Sequence, residues 1–373
     1  MVAGLLLAKR GHDVTVLERS ADFEREFRGE ILQPRFMNAM KSCGLLELVQ
    51  SIPSEKFHSA KIFASGREVG QVDLGALNPE FPFVTWMTQP NLLCGLAAAG
   101  ESYDNFELVF NASAKEILRQ GESCVGVRYN IGDRDVELAA DVVIGADGRF
   151  SKVRKLGDFA SEHSSHRFDV LWYQAKRPDG FDHGADFFVN PSFACLTLPK
   201  YPDLIQCGIL METNQAKKFL RKGTSKIAER LKQTHPMFEE FAENLKDESQ
   251  FTILQAKIDR VRRWARDGLV LIGDAAHTCS PVFAIGVTIA IETAIVAADV
   301  IDRAPDCSGE SLDSIQAQRI DSVRTIQNFQ ETVARLGILN PIARRLLPWF
   351  APLVFKLGLP RLVVGRILAG RRG

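Results

Sequence analysis

Residues 268–294, GLVLIGDAAHTCSPVFAIGVTIAIETA, constrain the fold of this chain more than any other stretch. Residues 269–272 are too few and too rich in branched side chains for a helix, and they predict a buried strand. Gly273 follows directly and, because it has no Cβ, allows the backbone to bend sharply and approach a ligand. Residues 287–300 are apolar almost all round, as in a buried helix. A strand, a compact turn and a buried helix in this order indicate a ligand-binding turn in an α/β fold.

The polar turn in this stretch carries the candidate ligand contacts. Asp274 stands just past the end of the predicted strand. Its carboxylate can accept hydrogen bonds from sugar hydroxyls, or it can simply cap the turn, and the residues leave both interpretations open. Pro281 restricts the residue before it and stiffens the loop, whereas Gly286 permits close approach of a ligand. The following helix would present its N-terminal N–H groups to an electron-rich or anionic partner.

The sequence GDAAH, followed by Pro281 and Gly286, resembles the second FAD-binding motif of the single-component flavoprotein monooxygenases, the aromatic hydroxylase family. The resemblance implies that Asp274, next to Gly273, holds the ribityl chain of FAD. It also implies that the loop from Pro281 to Gly286 runs alongside the isoalloxazine ring, with backbone N–H groups near the pyrimidine edge.

The chain departs from the family pattern at two places in this loop. The family usually carries a further glycine near position 283 or 284, where this chain has Phe283 and Ala284. The family also carries an asparagine where this chain has Thr288. The loop is therefore bulkier here than the resemblance leads one to expect.

A second constellation is DVVIGADGRFSKVR, residues 141–154, in which an apolar strand leads to a glycine turn and then to a helix. It matches the GADGxxSxxR motif of the same family, which is linked to both FAD and nicotinamide-cofactor use. By resemblance, Asp147, Gly148 and Arg154 are candidate cofactor-binding residues. An Asp-Gly pair alone indicates only a turn, so the prediction depends on the complete flanking pattern.

The N-terminal residues predict part of a dinucleotide-binding unit. Residues 1–10 are apolar at helical spacing and are followed by Gly11, as at a helix C-terminus. A strand is predicted at residues 13–17, and Glu18 at its end is placed to bind a ribose diol. In that fold a first strand and a GxGxxG turn precede the helix, and the sequence contains neither. We expect roughly 15–20 further residues before Met1, and the alternative is a fold that opens with a helix.

Two further candidates come from the resemblance. Arg28 precedes an amphipathic segment that resembles the family region in which an Arg reaches the FAD pyrophosphate or the nicotinamide cofactor. The alternative is a surface Arg paired with Glu24 or Glu26. Gln89 opens a predicted helix, at a place where the family uses a Gln or Arg to contact the ribityl or phosphate region.

The resemblance and the order of elements predict an α/β fold: a Rossmann-like FAD-binding domain interleaved with a mixed β-sheet substrate domain, followed by C-terminal helices. At 373 residues the chain exceeds the size of about 250–300 at which single cores stop growing. The predicted FAD-binding domain comprises residues 1–60, 88–165 and 262–305, the substrate domain residues 61–87 and 166–261, and the C-terminal helical region residues 306–373.

No residue of the predicted substrate domain carries a recognisable catalytic pattern, and we assign no catalytic residue. Several aromatic side chains there either line an apolar pocket or belong to the core: Phe168, Trp172, Tyr173, Phe187, Phe188 and Phe193. From residue 331 to residue 373 the chain has eight basic residues and one acidic residue among many apolar ones. Two interpretations of this tail stay open: peripheral membrane contact, or a helical lid on the catalytic domain with its Arg side chains outward.

Composition excludes some partners. Lys plus Arg equals Asp plus Glu at 46 each, which gives no reason to expect nucleic acid as a partner. The seven Cys residues form no CxxC pair, which is typical of reduced thiols in a cytoplasmic enzyme. The seven His residues show no metal-binding spacing, and we expect no metal.

The resemblance implies an FAD-dependent monooxygenase that uses NAD(P)H and O2. NAD(P)H would reduce the flavin, and one oxygen atom of O2 would pass to a small apolar or aromatic organic substrate by hydroxylation or epoxidation. An alternative enzyme is a flavin-dependent reductase of a polyprenyl or lipid chain, because such enzymes share these motifs. An alternative of another class is a truncated, flavin-poor homologue without catalytic activity, which the absence of the first glycine turn favours.

Overall fold

A computed structural model describes residues 1–24, 31–178, 181, 184–190, 193–200, 202–221, 223–335, 340–356 and 365. The helices are α1 (Val2–Lys9), α2 (Pro34–Ser42), α3 (Leu46–Ser51), α4 (Gln89–Gly100), α5 (Lys152–Leu156), α6 (Ala216–Leu220), α7 (Thr224–Thr234), α8 (Glu239–Glu243), α9 (Gly286–Arg303), α10 (Gly309–Val333) and α11 (Pro341–Lys356). The strands are β1 (Val14–Leu17), β2 (Ile31–Leu32), β3 (Glu55–Phe57), β4 (Ser59–Ala64), β5 (Arg67–Asp73), β6 (Val84–Trp86), β7 (Phe106–Val109), β8 (Ala112–Gln120), β9 (Ser123–Ile131), β10 (Arg134–Ala139), β11 (Val143–Gly145), β12 (Ser161–Lys176), β13 (Asp186–Asn190), β14 (Phe193–Lys200), β15 (Leu204–Glu212), β16 (Thr252–Val261), β17 (Ala265–Arg266), β18 (Leu269–Leu271) and β19 (His277–Thr278).

Two parallel strand pairs lie where the sequence predicts the nucleotide-binding part. β1 pairs in parallel with β7, and β11 pairs in parallel with β18, which also pairs with β17. Helix α1 is buried along nearly its whole length and packs on α9. The polar turns after β11 and β18 lie side by side because parallel strands end at the same edge of a sheet. The predicted α/β fold is confirmed.

A large mixed sheet forms the other half of the molecule. Its strand order is β19-β16-β12-β15-β14-β13-β4-β5, and its pairs are antiparallel except for β13 with β4. Strand β12 runs without a break across the predicted boundary between residues 165 and 166. Strand β19 belongs to the turn after β18, so this turn is hydrogen-bonded directly to the large sheet.

Alternation along these strands separates cavity-facing side chains from core side chains. Tyr173 and Phe188 pack with Phe238 and Phe241 beneath helices α7 and α8. On the opposite face, alternate residues of the sheet line a large cavity, among them three of the aromatic candidates: Phe168, Trp172 and Phe187. The side chain of the sixth candidate, Phe193, lies outside the described part of the chain.

Helix α9 lies at the centre of the hydrophobic core that also contains α1, α2 and β18. Residues 282–303 are long and apolar enough to cross a membrane, with a mean hydropathy of 2.0. Half of that stretch is buried inside the protein, against α1, α2 and α10. Core helices of globular proteins have the same composition, and the packing explains the apolar character without a membrane.

Helix α11 covers one end of the large sheet, where it packs on β5 and β13. Gly70 of β5 makes this possible, because a Cβ at that position would lie 2.3 Å from the Phe355 ring. Arg344 is partly buried, and burial lowers the pKa of its guanidinium. The prediction that the Arg side chains of this lid point outward is therefore wrong for Arg344 and holds for Arg345, which is exposed.

Candidate active site

A cavity of about 2680 Å³ lies between the parallel strands and the large sheet. Ligand pockets usually measure about 300–1,000 Å³, so this cavity has room for a large cofactor and a second molecule. One wall is formed by β1, by the turns after β11 and β18, and by the first turn of α9. The opposite wall is the apolar face of the large sheet.

Most of the residues that the sequence predicts for the site line this cavity: Glu18, Gln89, Asp147, Gly148, Gly273, Asp274, Pro281 and Gly286. Arg154 is not among the described residues of the lining, and Arg28 lies outside the described part of the chain. The two sequence motifs and the N-terminal ends of α4 and α9 thus lie around the same cavity.

An ion pair joins the two sequence motifs at the cavity. The Arg149 Nε donates to Asp274 Oδ2 over 3.1 Å, with the two side chains 23% and 30% exposed. The same guanidinium donates to the backbone oxygens of Gln255, at 3.0 Å, and Cys279, at 3.4 Å. Arg149 therefore fixes the Asp274 carboxylate relative to the turn that follows β11.

The Asp147 carboxylate accepts hydrogen bonds at the start of helix α5, where Ser151 is the N-cap. It accepts hydrogen bonds from the Lys152 N–H at 2.6 Å, from the Val153 N–H at 3.0 Å and from the Ser151 hydroxyl. Gly148 has a φ of +82°, and a Cβ there would meet nothing within 4 Å, so the left-handed backbone rather than crowding requires glycine. Both carboxylate oxygens of Asp147 are thus engaged at the start of α5.

Arg154 lies behind the cavity wall and connects the two turns from that side. Its guanidinium donates to the Ala275 oxygen at 3.1 Å and to the Arg149 oxygen at 2.8 Å. It also lies 3.8 Å from the buried carboxylate of Asp259. These contacts give Arg154 a structural role among the described residues.

Two acceptors along the cavity wall have no donor among the described residues. Gln89, the first residue of α4, and Gln33, just before α2, both line the cavity, and each has a buried, unpaired Oε1. Buried acceptors normally have a donor, so these positions fit a ligand that carries O–H and N–H groups. FAD has both kinds of group. Glu18, at the end of β1, accepts from the Ser20 N–H at 2.9 Å.

The loop after Pro281 adopts the backbone conformation that glycine usually supplies. Phe283 and Ala284 have φ values of +63° and +50°, which cost roughly 1–3 kcal/mol each for non-glycine residues. The Phe283 ring stacks on Phe329 of α10 at 5.4 Å. The chain therefore keeps the backbone shape of the glycine pattern, although its residues differ from that pattern.

Two titratable groups of the GDAAHTC run are buried and uncharged. His277 hydrogen-bonds Thr293 at 2.9 Å and packs against Trp264, and burial lowers its pKa to about 3. Burial likewise raises the pKa of Cys279 to about 12. Neither carries a charge at neutral pH, and His277 is part of the core rather than of the cavity lining.

The comparisons with known proteins agree with this geometry. Residues 1–326 match the model of the family described as FAD binding domain. The chain belongs to this family. It is 28% identical to the 6-methylpretetramide 4-monooxygenase of Streptomyces rimosus over 99% of this chain and 90% of that protein. It is 23% identical to the kynurenine 3-monooxygenase of Phaeosphaeria nodorum over 88% and 73% of the two chains.

Solved structures show the same fold. The p-nitrophenol 4-monooxygenase of Pseudomonas putida superposes with a TM-score of 0.81 at 17% identity, covering 100% of this chain and 96% of that one. A probable FAD-dependent monooxygenase of Pseudomonas aeruginosa gives 0.78 at 21% identity, covering 92% and 94%. The expectations of an FAD-dependent monooxygenase, of FAD as cofactor and of the NAD(P)H typical of the family are confirmed.

Sequence reasoning missed residues that act across long distances in the chain. Arg149 occupies a variable position of the GADGxxSxxR pattern, so the motif gives no signal for it. Gln33 immediately precedes α2 and Gln330 lies in α10, and in the sequence a buried Gln cannot be distinguished from a surface Gln. Only the fold shows that they contact the loop after Pro281.

Proposed function

We propose that this monooxygenase acts on a bulky, apolar aromatic compound. The observation that carries the proposal is the cavity wall opposite the loop of residues 281–286, here called the flavin loop. This wall consists mainly of apolar side chains: Ile62, Val72, Phe168, Val170, Trp172, Phe187, Val189, Leu196, Leu198 and Leu210. The polar residues of the large sheet that also line the cavity are Gln206 of β15 and Gln255 and Lys257 of β16. A wide apolar wall favours a substrate of several fused rings over a small charged one. The similarity to a 6-methylpretetramide monooxygenase supports the same class.

The residues at the two turns would hold the cofactor. Asp274, oriented by Arg149, is proposed to accept hydrogen bonds from the ribityl hydroxyls, and Glu18 from the ribose diol. Gln89 would contact the ribityl or phosphate region through its unpaired oxygen. Bound FAD supplies the redox chemistry with O2.

The remaining candidates at the two turns would contribute backbone rather than side-chain contacts. Gly148 and Gly273 have positive φ values, which let the chain turn tightly beside the ligand. Pro281 and Gly286 would set the path of the loop along the isoalloxazine ring. Arg154 and the Asp147 carboxylate would support this site from behind. Arg28 is retained as a proposed contact to the pyrophosphate or nicotinamide cofactor on the resemblance alone.

A substrate panel tests the proposed class. FAD-loaded protein is mixed with NADH or NADPH and O2, together with fused-ring phenols, single-ring phenols or polyprenyl chains. Faster NAD(P)H oxidation and a hydroxylated product with fused-ring phenols are expected. Preference for single-ring phenols would contradict the proposal. Reduction of the polyprenyl chain without O2 consumption would favour the reductase alternative.

We also propose that α11 contacts an anionic membrane surface from the cytoplasmic side. Large exposed apolar side chains are concentrated on this helix, and their spacing of four, seven, eight and eleven residues from the first places them on one stripe: Ile342, Leu346, Trp349, Phe350 and Leu353. Residues 341–356 carry three basic residues and no acid. An exposed apolar stripe with basic flanks is typical of helices that lie in the membrane interface. The inner face of α11 contributes Leu347 to the cavity lining, so lid and membrane contact are compatible.

Vesicle sedimentation tests this contact. The protein should sediment with phosphatidylglycerol-containing vesicles more than with phosphatidylcholine vesicles. The double change Trp349→Ser and Phe350→Ser should abolish the difference, because these side chains are 80% and 58% exposed and make up much of the apolar stripe. Equal sedimentation of wild type and variant would contradict the proposal. The seven cysteines are all free thiols, which suits a cytoplasmic location.

A further inference from the structure

The side chain of Gln33 connects the flavin loop to the cavity. Gln33 is 6% exposed and lies just before α2, on the cavity wall. Its Nε2 donates to the Phe283 carbonyl oxygen over 2.8 Å. A carbonyl oxygen only accepts, so the amide nitrogen must lie on the Phe283 side. The amide oxygen is then left for another donor, and no described residue supplies one.

A second glutamine holds the same loop from the other side. Gln330 of α10 accepts from the Ser280 N–H at 3.0 Å and donates to the oxygens of Ser280 and Val282, each at 2.8 Å. Both the Oε1 and the Nε2 of Gln330 are hydrogen-bonded to the loop, whereas only the Nε2 of Gln33 is. Variants of the two residues should therefore affect ligand binding differently.

We propose that Gln33 is a ligand-contacting residue whose Oε1 accepts a hydrogen bond from the imide N–H of the flavin ring. The loop that Gln33 holds is the one proposed to run along that ring. The imide is the ring N–H of oxidised flavin, so it matches an acceptor that lacks a donor. A Gln that bonds both the loop and the ligand couples the strained backbone at Phe283 to cofactor binding. This inference rests on the proposed placement of FAD.

The test compares FAD with 3-methyl-FAD, in which a methyl group replaces the imide hydrogen, by titration into the full-length protein. Wild type should bind 3-methyl-FAD more weakly than FAD. Gln33→Met should bind FAD about tenfold more weakly, as expected for one unsatisfied buried donor, and should discriminate less between the two flavins. Gln33→Glu keeps an acceptor and should restore the discrimination although it cannot donate to Phe283.

Two variants of α10 serve as controls. Gln330→Leu loosens the loop and should weaken the binding of both flavins while the discrimination stays. Gln316 also hydrogen-bonds to backbone groups, but far from the loop. Its Oε1 accepts from the Trp264 N–H and its Nε2 donates to the Arg262 oxygen, each over 2.9 Å. Gln316→Leu should change neither measurement.

Wild-type discrimination that persists in Gln33→Met would overturn the proposal, as would equal FAD affinity in that variant. A wild type that binds FAD but does not hydroxylate fused-ring compounds would instead contradict the proposed substrate class. The two failures are therefore distinguishable. Loss of discrimination in Gln33→Glu as well as in Gln33→Met would show that the acceptor is not what matters, and would also overturn the assignment.

Discussion

The ion pair between Arg149 and Asp274 offers the sharpest test of how the two motifs act together. The atoms lie 3.1 Å apart, and the side chains are 23% and 30% exposed, so water screens the pair only in part. A charge-assisted hydrogen bond contributes about 1.5–3 kcal/mol when it is well buried, and partial exposure reduces this to roughly 1–2 kcal/mol. A double-mutant cycle with Arg149→Met and Asp274→Ala should give this coupling energy in chemical unfolding of the protein without flavin.

The Arg263–Asp313 pair provides a matched control. Its atoms are 2.7 Å apart, but the side chains are 60% and 38% exposed. Its coupling energy should be below that of the cavity pair, at about 0.2–1 kcal/mol. Each single change at Arg149 or Asp274 should also weaken FAD binding. Additive effects at Arg149 and Asp274, within about 0.3–0.5 kcal/mol, would refute the idea that this pair fixes the turn.

Three further predictions follow from single contacts. Asp147→Ala removes the acceptor of the Lys152 and Val153 N–H groups at the start of α5, whereas the Ser151 N-cap remains, and should lower the free energy of unfolding by about 1–2 kcal/mol, measured by denaturant titration; an unchanged midpoint would contradict this role. Gly70→Val should displace Phe355 and expose α11 to limited proteolysis, and adding Phe355→Ala should restore resistance. Because the pKa of His277 is lowered to about 3, stability from this residue is complete above pH 6.5 and should fall as the pH decreases toward 3; His277→Gln should flatten that part of the curve.

The fold could be predicted from the sequence because the strand, turn and helix patterns of neighbouring segments all indicate the same α/β arrangement. The strands and helices around Asp147 and Asp274 follow from apolar runs bounded by glycines, and the structure confirms β11, β18 and α9 at the predicted places. Strand alternation explains why Phe168 lines the cavity and Tyr173 lies in the core, but the sequence does not say which face meets the cavity. That choice depends on how the sheet packs on its helices. The predicted domain boundaries stay a prediction.

A motif predicted a residue of the cavity lining only where the side chain or backbone of that residue faces the cavity. Arg154 matches the motif, yet its guanidinium is turned to the Ala275 oxygen behind the cavity wall. The loop at Phe283 lacks the usual glycine, yet the side chains of Gln33, just before α2, and Phe329, in α10, hold it in a left-handed conformation. Such contacts join residues about 45 to 250 positions apart, and local sequence patterns contain no information about them.

Isotopically labelled dioxygen tests directly whether the protein transfers one oxygen atom of O2 to its substrate. FAD-loaded protein, NAD(P)H and a fused-ring phenol are incubated under the labelled gas, and the product is analysed by mass spectrometry. We expect one labelled oxygen atom in the hydroxylated product, with the second atom in water, and no product without FAD. A product that carries no label, or a substrate that gains hydrogen instead of oxygen, would contradict a monooxygenase.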